Sequence, residues 1–124
     1  LLLFKHPERA TVREEYDFVR AKLAKRSRYL TSRYAGEWID AQYAAIAGQF
    51  RDDALYASTA FAYRPVPEVR AAFKEVWHHK SRYLLHDQLA LPYAVQRCHV
   101  RRLVVTPADV YHCAYLPITR PDRR

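Results

Sequence analysis

The sequence predicts an α/β domain. Three observations carry that prediction. Apolar runs of strand length alternate with stretches of helical period along the chain. The first run, "LLLF", is apolar throughout, as in a strand covered on both faces. The 124 residues are 50% hydrophobic and 14% aromatic, enough for one domain around one core and too apolar for a disordered chain.

Taken in order, "LLLFKHPER" reads as a short buried strand over 1–4 that ends in a turn at Pro7. Thr11 followed by Glu14 makes a capping box, and Val12, Tyr16, Val19 and Leu23 recur at helical spacing to about Lys25. A second helix is expected from about Thr31 to Ala47. It presents Ile39, Tyr43 and Ile46 on one face with Trp38 and Gln42 beside them, and Gly48 stops it. "ALYASTAFAYR" alternates small and aromatic residues as a strand does, and "RPVP" ends it. Pro67 then opens a helix carrying Val69, Ala72, Phe73, Val76 and Trp77 to about His79. "SRYLLH" turns the corner into a helix from Asp87 to about Arg97, in which Pro92 is expected to cause a kink or a split. Two short strands, "VRRLVV" and "VYHCAY", close the chain around a "TPAD" turn. Four strands are few for a sheet with helices on both faces, so further strands are expected upstream of Leu1.

Composition narrows the function classes. Lys and Arg number 21 against 13 Asp and Glu, a formal net charge of +8, which favours phosphates, acidic polymers or a membrane surface. The densest basic tracts, "RAKLAKRSR" and "RPDRR", read as a solvated helix face and a loose tail. No secretory signal and no apolar stretch long enough to cross a bilayer is present, the chain reads as a piece of a longer one, and its cysteine usage leads us to expect a cytoplasmic protein. Cys98 and Cys113 match no zinc spacing and read as reduced thiols.

Chemistry concentrates at "SRYLLHDQLALPYAV", residues 81–95. Asp87 has a local explanation as an N-cap or first-turn carboxylate, worth about 0.5–2 kcal/mol. Arg82, His86, Asp87 and Gln88 together gather hydrogen-bonding groups at one helix mouth, where a ligand hydroxyl could be held. His6 and Arg9 follow the first strand, at the carboxyl edge where α/β sheets place ligands; their alternative role is a turn built on Pro7. His78 and His79 suit the C-terminal dipole of their helix and need no further role.

These segments resemble a known family. "FKHPER", the acidic pair Glu14 and Glu15, Gln42, "LYASTAFAYR", "VRAAFKEVW" and "SRYLLHDQLALPYAV" follow the order of a glycosyltransferase-like family, formerly a domain of unknown function. Its members include plant tapetum-degeneration and seed-mucilage proteins and bacterial relatives. The resemblance spans most of the chain and rests on order and spacing rather than on one diagnostic motif.

The resemblance implies a GT-A-like nucleotide-sugar transferase, of which residues 1–124 would be the C-terminal, acceptor-side part of a single domain. Its partners would be a nucleotide sugar and a glycan or other acceptor, and its cofactor a divalent metal, Mn²⁺ or Mg²⁺. No Asp-x-Asp motif stands at a strand end here, so that motif is expected before Leu1 and the isolated fragment is expected to be inactive. Asp87 would hold sugar hydroxyls or act as general base, with Gln88 as a hydroxyl partner. His86 replaces the Arg that the family carries before Asp-Gln. His112 resembles the late metal-binding His of several GT-A enzymes, although a His on a strand is more often a satisfied surface side chain. A basic nucleic-acid-binding module and a non-catalytic structural remnant are the alternatives.

Overall fold

A computed structural model describes residues 1–83 and 86–113. Its elements are β1 (Leu2–Lys5), α1 (Val12–Ala24), α2 (Arg28–Tyr34), α3 (Ile39–Ile46), β2 (Tyr56–Ala62), α4 (Pro67–Arg82), α5 (Asp87–Arg97) and β3 (Val104–Thr106), followed by a 3-10 turn over Val110–His112. Helices flank a small mixed sheet of order β2-β1-β3, antiparallel between β1 and β2 and parallel between β1 and β3. The apolar first strand lies in the middle. Leu3 packs with Tyr56, Leu91 and Val95, while Phe4 packs with Ala57 and Val110, so successive side chains serve two cores.

The β1–β2 register is broken. Leu3 pairs with Phe61 and Phe4 with Ala57, which leaves Ser58, Thr59 and Ala60 opposite a single step of β1. An irregularity of this kind re-aims side chains out of the sheet.

Helix α1 starts where the capping box predicts. Thr11 Oγ1 accepts the Glu14 N–H at 3.1 Å, and the Glu14 carboxylate accepts the Ala10 N–H at 2.7 Å, one residue beyond the cap. Asp52 adds a long-range cap, its two oxygens accepting the N–H groups of Val12 at 2.7 Å and Arg13 at 2.9 Å. The expected helix over 31–47 is instead two, α2 and α3. Gly36 takes the left-handed conformation at φ +83°, and the Trp38 N–H turns to the Tyr83 carbonyl at 3.1 Å. The break also rotates the expected face: Ile39, Gln42 and Ile46 are buried, whereas Trp38 is 67% exposed. Gly48, at φ +74°, closes α3 as expected.

Helix α4 runs one turn past His79, to Arg82. His79 is buried in it, while Trp77, expected on the apolar stripe, is 70% exposed. Helix α5 passes through Pro92 without splitting, although Pro92 offers no N–H to the Gln88 carbonyl. All residues from Leu89 to Val95 are buried, and packing on every side of α5 offsets the missing bond. Leu84 and Leu85 of the expected corner lie outside the described residues, as do residues 114–124 with the basic tail. The described part of "VYHCAY" is the 3-10 turn rather than a strand. Among the described residues no helix is long and apolar enough to cross a membrane.

Candidate functional site

A cavity of about 400 Å³ opens where the end of β1, the irregular part of β2, helices α1 and α2 and the start of α5 meet. His6, Arg9, His86, Asp87 and Gln88, singled out from sequence, all line it. Arg82 and His112 do not. Arg82 is exposed at the end of α4, its guanidinium carbon 5.6 Å from the Tyr83 ring centroid. The His112 side chain is 76% exposed and pairs with Asp109 Oδ2 at 2.8 Å.

The turn after β1 builds the first wall. His6 Nδ1 accepts the backbone N–H groups of Glu8 at 3.2 Å and Arg9 at 3.0 Å. That nitrogen therefore acts as an acceptor, and the other ring nitrogen, Nε2, lies 3.2 Å from Arg9 Nη2. Burial, together with the Arg9 charge, lowers the His6 pKa and keeps the ring neutral. The Pro7 turn and the functional reading thus use the same side chain.

Behind this wall lies a buried polar chain. Glu15 points inward from α1, its side chain 3% exposed, and both carboxylate oxygens are engaged. Oε2 accepts from Arg9 Nε, and Oε1 accepts from His86 Nε2 at 2.7 Å. The other His86 nitrogen, Nδ1, meets the Tyr34 hydroxyl at 3.0 Å. A carboxylate only accepts, so Nε2 bears a proton; in the neutral ring Nδ1 then accepts from Tyr34, and in the imidazolium it donates. Burial alone would raise the Glu15 pKa, but the hydrogen bond and charge of His86, with those of Arg9, bring it below the ordinary carboxylate range. Burial pushes the Tyr34 phenol up to about 12, so it keeps its proton.

The opposite wall belongs to α5 and β2. His86 is the N-cap residue of α5, but its ring serves Glu15 and Tyr34 and caps nothing. Asp87 is not the cap either. It stands in the first turn, where the helix dipole favours it. Its Oδ1 accepts from Ser58 Oγ at 2.8 Å, and its Oδ2 lies 3.5 Å from Lys80 Nζ. Ser58 reaches Asp87 because the β2 irregularity turns it out of the ladder. Gln88 lines the cavity next to Asp87 with its amide free of hydrogen bonds among the described residues.

Sequence reasoning missed Glu15 as a site residue, together with Tyr34, Ser58, Lys22 and Arg33. Glu15 did leave a trace: it lies three residues after Val12 and four before Val19, inside the apolar stripe of α1. A carboxylate in that position needs a partner. The others leave no comparable signal, because tertiary packing alone brings them to the cavity.

His112, the residue that the resemblance marks for a metal, stands at the surface away from the cavity. Asp109 is the carboxylate bonded to His112, and among the described residues no group of three or more His, Cys, Asp or Glu side chains is placed to hold a metal ion.

In comparisons with known proteins, no family model, no curated protein and no solved structure matches this chain.

Proposed function

We propose that the cavity binds a sugar and that the chain is a glycosyltransferase-like domain of GT-A type, moving a sugar from a nucleotide-sugar donor to an acceptor hydroxyl. The observation that carries this reading is convergence. Residues from two distant segments, His6 and Arg9 on one side and His86, Asp87 and Gln88 on the other, were singled out from the sequence and line one cavity.

The chemistry of the walls suits such a ligand. Asp87 and Ser58, whose proton is committed to Asp87 Oδ1, offer acceptor positions, and the Gln88 amide, free of hydrogen bonds among the described residues, offers a donor and an acceptor, which suits vicinal hydroxyls. In transfer, Asp87 takes the proton of the acceptor hydroxyl while that oxygen bonds to the anomeric carbon. The bond from that carbon to the donor diphosphate breaks, and the diphosphate leaves with the electron pair. The same resemblance implies Mn²⁺ or Mg²⁺, whose ligands the described residues do not supply.

Saturation-transfer NMR with a panel of nucleotide sugars, with and without Mn²⁺, tests the reading. Binding of at least one nucleotide sugar, weakened tenfold or more by Asp87→Asn with the fold intact by circular dichroism, is expected. If no nucleotide sugar, nucleotide or free sugar binds, and a polynucleotide binds with steep salt dependence instead, the reading is wrong.

A further inference from the structure

The cations around the cavity are not equivalent. Arg9 is satisfied: its guanidinium contacts Glu15 and Glu8 and lies 4.0 Å over the Phe18 ring. Lys22 and Arg33 also line the cavity, from α1 and α2, and both are exposed. Neither has a carboxylate within ion-pair distance among the described residues.

Arg33 is nevertheless held in place. Its Nη1 donates to the Tyr29 hydroxyl, and its guanidinium carbon lies 5.3 Å from the Tyr29 ring centroid and 5.5 Å from that of Tyr34. Lys22 Nζ lies 5.5 Å from the Phe18 ring centroid. The aromatic faces orient these cations without neutralising them, and Arg33 keeps N–H groups free for a forked contact with an anion. Asp87 acts on Arg33 only through its charge, with no ion pair between them. The Ser27 hydroxyl completes this rim and makes no cap bond of its own.

From this asymmetry we infer that Lys22 and Arg33 form a phosphate subsite, so that the cavity takes a phosphorylated sugar, its phosphoryl group on the α1–α2 side and its hydroxyls toward Asp87, Ser58 and Gln88. The inference rests on the sugar reading above and adds a phosphoryl group to the sugar that the cavity holds. Pre-oriented cations without acidic partners bind a phosphoryl group at little ordering cost, and added salt weakens them.

The test uses the whole chain, hexose 1-phosphates, the matching free hexoses and inorganic phosphate, followed by calorimetry and ligand-observed NMR. At least one hexose 1-phosphate should bind tenfold or more tightly than its free hexose. The double variant Lys22→Ala, Arg33→Gln should remove that advantage and leave free-hexose binding unchanged. Both positions are exposed, and an unchanged melting temperature confirms the fold.

Equal affinity for phosphorylated and free hexose, or an undiminished advantage in the double variant, overturns the phosphate subsite while the sugar reading stands. Binding of inorganic phosphate that needs Lys22 and Arg33, with no hexose phosphate binding more tightly than phosphate, overturns the sugar reading and this inference with it.

Discussion

Two of the cavity walls lean on Glu15, whose carboxylate holds Arg9 on one side and His86 on the other. Replacing it with Ala leaves His86 Nε2 without its acceptor and Arg9 Nε without its nearest carboxylate, in a region where the three side chains are 3–13% exposed. Removing one partner of a buried charged pair costs about 3–5 kcal/mol. Arg9 keeps Glu8 at 3.1 Å, so the lower end, about 3 kcal/mol, applies. A domain of this length has a total stability of roughly 6–18 kcal/mol, so the loss is a large fraction. Glu15→Gln preserves shape and one acceptor and should cost about 1.5–3 kcal/mol. Urea denaturation followed by far-ultraviolet circular dichroism measures both.

The same carboxylate predicts a pH effect. Its folded pKa lies below the ordinary 4.5, so its contribution is complete above that value and disappears as pH falls through the lowered folded pKa. Wild-type stability should therefore drop on acidification below about pH 4.5, and Glu15→Gln should lose less over the same range. A cost under about 1 kcal/mol for Glu15→Ala, or identical acid profiles for wild type and Glu15→Gln, would refute the buried chain.

Asp52→Ala should destabilise the protein by about 0.5–2 kcal/mol, since two N–H groups of α1 lose their acceptor; urea midpoints at unchanged slope would show it, and no shift would refute the long-range cap. His79 is buried with Nδ1 unpartnered, and desolvation lowers its pKa against the opposing charge of Glu75. The unfolded chain takes up its proton first, so stability should decline as pH falls below about 6.5. His79→Phe, which keeps a ring against Tyr83 and Tyr93, should flatten that decline in thermal melts at pH 7 and pH 5; an equally steep decline would refute the assignment.

What the sequence determined by itself was local. The Thr11 cap, Pro67 at the head of α4 and the unbroken apolar run of β1 are each explained by neighbours within a turn or a strand, and they appear at or within a residue or two of where they were expected. The same local reasoning misjudged the break at Gly36, because hydrophobic period runs on through a left-handed glycine. It also set Trp77 inward, because period alone cannot tell which edge of a stripe the core will cover. His6, Arg9, Asp87 and Gln88 were legible as polar groups at element ends, where ligands and caps share the same residues.

Only the tertiary structure made a cavity of them. Glu15 bonds His86 across 71 positions, Tyr34 reaches the same ring across 52, and Ser58 meets Asp87 across 29. Such pairs have no periodic signature. A hydrogen bond depends on distance in space, and here helix packing and one irregular step in the β1–β2 ladder set those distances.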